Sequence, residues 1–175
     1  MTLLRRTARP RPTWAVLVVL FMTPLAWRAP EAVGQAGEGV SAEELAEDRL
    51  DVLTTLAAAH YEKSALLAAD DPDAAIQELR RILSLPFPEG PQVAGQLFLV
   101  HLAIIEINIE AERFAQAEAA SREALEQIAT DDPQGLAEIH ILLAKALREQ
   151  GKEQQALETL NRAIELGRSA LQALD

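Results

Sequence analysis

Apolar residues recur at three- and four-residue steps through almost all of the chain after Ser41, which is the spacing of one face of an α-helix. No stretch alternates convincingly between apolar and polar residues, so no β-sheet is expected. Breaks in the helical pattern divide this part of the chain into six helices, which follow one another as three pairs. The pattern predicts an all-α fold.

The first predicted helix begins at Ser41 and runs to about Ala69. Ser41 is followed three residues later by Glu44, which is the spacing of a capping box, and acidic residues fill the first turn. Its apolar side chains are expected to form one buried stripe along the helix. They are Leu45, Val52, Leu53, Leu56, Tyr61 and Leu67.

Two further helices are predicted to begin at an Asp-Pro pair, Asp71-Pro72 and Asp132-Pro133. An aspartate can accept hydrogen bonds from the free amides of the first turn, and proline at the first helical position loses no hydrogen bond. The prolines between residues 86 and 91 end the second helix.

The segment 92–110, "QVAGQLFLVHLAIIEINIE", is the most apolar part of the chain after Ser41. Because it contains Glu106 and Glu110, it is a poor candidate for a membrane span and a good candidate for a buried central helix.

Two kinds of residue recur at nearly the same spacing, one in each helix of a pair. Ala75, Ala117 and Ala156 lie early in the second helices, 42 and 39 residues apart. His60, His101 and His140 lie in the first helices, 41 and 39 residues apart. Two independent spacings of this kind predict that one helix-pair unit recurs three times.

The last unit resembles a tetratricopeptide repeat. In its first helix an apolar residue is followed by a small one, Leu143 and Ala144; a glycine then marks the turn, and alanines recur in the second helix. His140 and Arg168 depart from the family pattern, which has a large apolar residue and a proline there. The repeat positions assigned over the three units are Ala75, Ala117, Ala124, Leu143, Ala144, Leu147, Gly151, Ala156, Leu160 and Ala163.

The resemblance implies a right-handed helix-pair solenoid of about three repeats, with units at about 56–89, 98–131 and 137–170 within a helical domain of residues 41–175. Ala156 and Ala163 are two helical turns apart, so they lie on one face. Helices pack about 8–10 Å apart, and small side chains are needed at the closest crossings. The alternative is that alanine is present only because it favours helix.

The first 36 residues differ from the rest of the chain. A basic start with four arginines is followed by an uncharged apolar run of 14 residues, Trp14 to Trp27, and by small residues at Gly34 and Ala36. These features predict a signal peptide cleaved after Ala36, with residues 37–40 as a linker. An uncleaved anchor in the inner membrane is the alternative. Both place the rest of the chain outside the bacterial cytoplasm, as a periplasmic or otherwise exported protein.

Without residues 1–36 the chain has 11 basic and 26 acidic residues, a formal charge of −15. Such a charge opposes binding to nucleic acid or to anionic lipid headgroups. Membrane contact is expected only through residues 14–27, if they are retained. A protein or peptide partner with a basic or apolar face is the better hypothesis.

No pattern typical of an active site is found. The chain has no cysteine, phosphate-binding glycine loop or zinc-protease motif. Histidines one repeat apart are too distant to share a metal ion, and the acidic segment 70–73 lacks the spacing of a calcium loop. No cofactor, metal or enzymatic activity is expected.

The resemblance implies that a partner binds on the concave face, lined by exposed residues of each first helix. These are expected to be His60, Ser64, Leu102, Glu106, Ile109, Ile141, Lys145 and Arg148. Their mixture of apolar and charged groups suits a peptide or a helix, so the function expected is that of an exported adaptor or scaffold. The alternative is a structural protein that self-assembles through the ends of its solenoid.

Overall fold

The structure, a computed structural model, describes residues 41–127 and 132–173. Within these ranges the chain forms six α-helices and no strand, which confirms the predicted all-α fold. The helices are α1 Ala42–Leu67, α2 Pro72–Leu83, α3 Pro91–Glu110, α4 Phe114–Gln127, α5 Pro133–Glu149 and α6 Glu153–Gln172. The predicted signal peptide and linker lie outside the described residues.

The predicted caps are confirmed. The Ser41 hydroxyl accepts a hydrogen bond from the Glu44 amide at 3.2 Å, and the Glu44 carboxylate accepts one from the Ser41 amide at 2.8 Å. Asp71 accepts from the amide of Ala74, and Asp132 accepts from the amide of Gln134, both at 3.0 Å. Side chains therefore satisfy amides that would otherwise lack partners at three helix starts.

The helices are packed in chain order. Each helix contacts the next one, and α3 also contacts α5, so the first helices of the second and third pairs lie side by side. Three helix pairs therefore follow one another in a stack, which is the helix-pair solenoid expected from the resemblance. The first helices begin before the predicted repeat units, since α1 starts at Ala42 and α3 at Pro91.

Helix α3 forms the centre of the core. Val100, Ile105 and Ile107 are at most 1% exposed, and they belong to the main apolar cluster with residues of α1, α2, α4 and α5. Among the described residues, α3 is the one helix long and apolar enough to cross a membrane. Half of its most apolar 18-residue stretch is nevertheless buried against the rest of the protein, as expected for a core helix.

The turns of the second and third pairs share one backbone conformation. Gly151, between α5 and α6, has a φ of 74°, and the next amide donates to the carbonyl of Leu147 at 3.0 Å. Glu112 holds the corresponding position between α3 and α4 with a φ of 57°, and the amide after it donates to the carbonyl of Asn108 at 2.8 Å. The fold imposes a left-handed residue here, where the sequence supplies glycine only once.

The prediction that six apolar residues of α1 form a buried stripe is wrong for three of them. Leu45, Val52 and Leu56 are 58%, 67% and 42% exposed, whereas Leu53 and Tyr61 are buried. Within the described residues, α1 packs mainly against α2, so only one side of it is covered.

The assigned repeat positions lie mostly in the interior. Nine of the ten are alanines or leucines; Ala75, Ala117 and Ala124 are fully buried, and Ala156 and Ala163 are 5% and 6% exposed. Leu143, Ala144 and Leu147 are buried in a second cluster with Ala156. Leu160 differs because it is 39% exposed on α6, where no further described helix covers it.

Candidate protein-binding surface

Side chains of three first helices meet on one side of the molecule. Burial raises the pKa of Tyr61 on α1 to about 12, and the negative charges of Glu106 and Glu62 add to this effect. A tyrosine on α1 is thus close enough to α3 to sense a carboxylate there. We call the surface that these helices form around the buried Tyr61 the first-helix face. Its residues are Glu62, Glu106, Glu110, Glu138, Ile141 and Lys145.

Glu106 lies at the middle of the first-helix face. Its side chain is partly buried, and its pKa is raised by burial and by the carboxylates of Glu110 and Glu138, while Lys145 acts in the opposite direction. Its Oε2 atom is buried and has no hydrogen-bond partner among the described residues. An incompletely satisfied carboxylate among like charges is a position where a cation or an N–H donor from a partner would be stabilised.

Three of the predicted binding residues lie exposed on α5. Ile141 is 51% exposed, and Lys145 and Arg148 are also at the surface. Ile141 and Lys145 lie three and seven residues after Glu138, so the three side chains share one side of α5. Arg148 bonds its neighbour Glu149 at 2.7 Å. The apolar and basic groups of this helix are thus accessible to a partner.

Three other predicted binding residues are not accessible. Ser64, Leu102 and Ile109 are 1%, 6% and 6% exposed, so the expectation that they are exposed on the concave face is wrong. Leu102 and Ile109 belong to the main apolar cluster, and Ser64 lies on the buried side of α1. The physical reason is the rotation of the helices: these residues point towards neighbouring helices rather than away from them.

His60 is part of an ion-pair cluster within the first helix pair. Its Nδ1 lies 2.7 Å from Oε2 of the buried Glu78, whose other oxygen is 2.8 Å from Lys63 Nζ and 2.6 Å from Arg81. The hydrogen bonds from Lys63 and then His60 lower the pKa of Glu78 to about 2, against the effect of burial. His60 therefore connects α1 to α2 and has this partner already.

The other two histidines have different surroundings, although all three hold equivalent sequence positions. Burial lowers the pKa of His101 on α3, and burial together with Arg162 lowers the pKa of His140 on α5. Both side chains therefore favour the neutral form. Over residues 41–127 and 132–173, no group of three or more histidines and carboxylates is arranged to hold a metal ion.

A second buried carboxylate, which the sequence analysis missed, joins the second helix pair to the third. Glu118 on α4 is 6% exposed; it accepts hydrogen bonds from Lys152 at 2.7 Å and Gln150 at 2.8 Å, and it pairs with Arg122. The Lys152 bond is the main reason why its pKa is lowered to about 2. The signal in the sequence is a glutamate directly after the repeat alanine Ala117. That it faces the next pair is seen only from its contacts with Gln150 and Lys152.

Comparison with known proteins gives one family. Residues 97–169, which contain most of the second pair and of the third, match the family model for the tetratricopeptide repeat. The similarity to tetratricopeptide repeats covers this segment, which is less than half of the 175 residues of the chain. No curated protein and no solved structure matches it. Tetratricopeptide repeats generally mediate protein–protein interaction and are typically not catalytic.

Proposed function

We propose that this protein is a protein-interaction module whose first-helix face binds a basic, partly apolar helix or peptide of another protein. The observation that carries the proposal is the partly buried Glu106. Its Oε2 has no hydrogen-bond partner among the described residues, and its pKa is raised by burial and by the carboxylates of Glu110 and Glu138. A lysine or arginine of a partner, placed against the accessible part of the Glu106 side chain, would favour its charged form and relieve the repulsion among these carboxylates.

The neighbouring groups support the same kind of partner. Ile141 offers an exposed apolar contact on the same side of α5 as Glu138, and Lys145 offers a positive charge that an acidic residue of the partner can meet. The formal net charge of −11 for the whole chain favours approach of a basic partner over long distances. The similarity of residues 97–169 to tetratricopeptide repeats supports binding as the general task, and no catalytic role is proposed.

The proposal is tested with two amphipathic peptides that share an apolar face and differ in carrying lysine or glutamate on the polar face. Isothermal titration calorimetry should show binding of the lysine peptide, weakening as salt is raised. Glu106→Gln should weaken this binding about tenfold or more, because a charge-assisted hydrogen bond is lost. Ile141→Glu should also weaken binding of the lysine peptide, because an apolar contact is lost.

The matched control is Glu158→Gln, which removes the same charge from the exposed surface of α6 and should leave the affinity unchanged. Equal binding of the two peptides, or equal effects of Glu106→Gln and Glu158→Gln, would overturn the acidic first-helix face as the binding site. If instead Glu106→Gln selectively weakens binding of the lysine peptide, a crosslinked pull-down from envelope extract that compares wild type with Ile141→Glu would identify the natural partner.

We further propose that the protein works outside the cytoplasm, after cleavage at Ala36 or held by an N-terminal anchor. The arrangement of arginines, a 14-residue apolar run and small residues supports this. Trp14 and Trp27 are the two tryptophans of the chain. The fluorescence of the cleaved protein should therefore come from tyrosine only, whereas a protein that retains the N-terminal segment should show tryptophan emission. Recovery of the intact chain from the cytoplasm would contradict export.

A further inference from the structure

Helix α6 carries an apolar stripe that no described part of the chain covers. Leu157, Leu160, Ile164 and Leu171 are 62%, 39%, 51% and 67% exposed. Their spacing of three, four and seven residues places them on one side of the helix. The buried residues Ala156 and Ala163 lie on another side, which packs against α5.

The equivalent stripes of the other two second helices are covered. In α2 the positions that correspond to Leu157, Leu160 and Ile164 are Ile76, Leu79 and Leu83, all of which are packed into the main core. In α4 they are Glu118, Ser121 and Leu125, which are buried or packed against both clusters. In each case the following first helix, α3 or α5, contacts the second helix.

Helix α1 leaves exposed the side that α3 and α5 pack against the preceding helix pair. Its Ala59 is exposed and its Leu66 is 81% exposed. The residues at the same positions of α3 and α5 are at most 1% exposed; they are Val100 and Ile107 in α3 and Ile139 and Ala146 in α5.

The same exposed side of α1 extends over most of the helix. It includes Leu45, Val52 and Leu56, which precede Ala59 and Leu66 at helical spacing. Leu56 corresponds to Leu97 and Leu136, both of which are partly buried. The outer side of α1 thus has the composition of a first helix that packs against a preceding pair.

We propose that the α6 stripe binds the outer side of α1 from a second copy of this chain, so that copies join head to tail. The chain already uses this type of interface twice, between α2 and α3 and between α4 and α5, and the intermolecular contact continues it. Each copy presents one half of the interface at each end, so association is heterologous and can extend beyond a dimer. This proposal is independent of the first-helix face.

The charge of the protein predicts how this association depends on salt. Apolar contact favours it, whereas the formal charge of −11 on each whole chain opposes it. Because salt screens repulsion between copies, raising the ionic strength should strengthen association. Binding of a basic partner to the first-helix face should weaken under the same change.

The test uses the protein as isolated from cells, with Ile164→Glu on α6 and Leu66→Glu on α1 as single variants. Gln155→Glu is the matched control, since it adds the same charge to an exposed residue on the opposite side of α6. Circular dichroism first verifies that each variant is folded. Analytical ultracentrifugation over a range of concentrations then gives the mass of each protein and of an equal mixture of the two variants.

Head-to-tail association predicts that the mass of the wild type and of Gln155→Glu increases with concentration. Ile164→Glu alone and Leu66→Glu alone should each be monomeric. Their equal mixture should give dimers that do not grow, because each variant keeps the half that the other has lost. Loss of association in only one variant would show a symmetric contact and overturn the proposal. A wild type that is monomeric throughout would also overturn it, and would indicate that residues 1–40 or another protein covers these stripes.

Discussion

Helices α1 and α3 hold equivalent places in successive pairs, yet they are buried very differently. Ile107 of α3 is 1% exposed, whereas Leu66 at the same position of α1 is 81% exposed. Both are large aliphatic residues on regular helices. The difference arises because α3 packs against α2, α4 and α5, whereas α1 packs mainly against α2.

The comparison teaches that place in the stack decides which apolar residues are core residues. In a repeat protein each unit contacts only its neighbours, so an inner unit is covered on two sides and an end unit on one. The same residue type therefore contributes to folding in the middle of the stack and remains available for association at its ends.

The largest expected effect tests this comparison directly. Ile107→Ala should lower the free energy of unfolding by about 2–5 kcal/mol, because it leaves a cavity among buried side chains. Leu66→Ala should change it by less than about 0.5 kcal/mol, since that side chain is mostly in water. Urea denaturation of dilute protein measures both, and equal losses would mean that the two positions do not differ in burial.

A second pair of variants makes the same test on adjacent residues of α6. Ala156→Leu should cost about 1–3 kcal/mol, because the larger side chain must be forced between α5 and α6. Leu157→Ala, one residue further on the uncovered side, should cost less than about 0.5 kcal/mol in dilute protein. If Ala156→Leu had no measurable effect on the urea midpoint, the close approach of the two helices would be refuted.

The two left-handed turns allow a comparison of the middle pair with the last. Gly151→Ala should destabilise by about 1–2 kcal/mol, because a Cβ is unfavourable at this φ. A Cβ at Gly151 would meet no atom within 4 Å, so the cost is conformational rather than steric. Glu112→Gly should stabilise the fold by up to about 1 kcal/mol. Glycine removes the energetic cost of the positive φ, and this gain exceeds the cost of the higher entropy of the unfolded chain. Thermal unfolding of both variants checks the opposite signs.

The last comparison, of a buried with an exposed carboxylate, concerns acid pH. The pKa of Glu118 is lowered from 4.5 to about 2, so its stabilising contribution is complete above about pH 4.5 and is lost as the pH falls towards 2. In Glu118→Gln, unfolding should take up about one proton fewer in this pH range. The free energy of unfolding should therefore fall less steeply with decreasing pH than in the wild type. The exposed Glu158→Gln is the control, and an identical pH profile for the two variants would contradict the role of the Lys152 contact.

Much of the fold could be predicted from the sequence because its signals are local. The caps at Ser41, Asp71 and Asp132 depend on side chains two or three residues from the amides that they satisfy. The turn at Gly151 depends on the one residue type that tolerates positive φ readily. The left-handed Glu112 gave no such signal, because there the packing of two helices imposes the conformation on an ordinary residue.

The candidate site was predicted less well. Ile141 and Lys145 are accessible, but Leu102 and Ile109 are in the core, since a small error in the rotation of a helix moves a residue from one face to another. The carboxylates around Glu106 come from α3 and α5, and their mutual effect depends on a distance between helices that no single segment encodes.

The sequence by itself determined the helices, most of their starts and the threefold recurrence of a helix pair, because hydrogen bonding, capping and apolar periodicity act within a few turns of one chain segment. Only the tertiary structure decided which apolar stripes are covered, which carboxylates are buried and which side chains share a surface. Those properties follow from what lies next to a helix in space, and equivalent residues of this chain have different neighbours in the middle of the stack and at its ends.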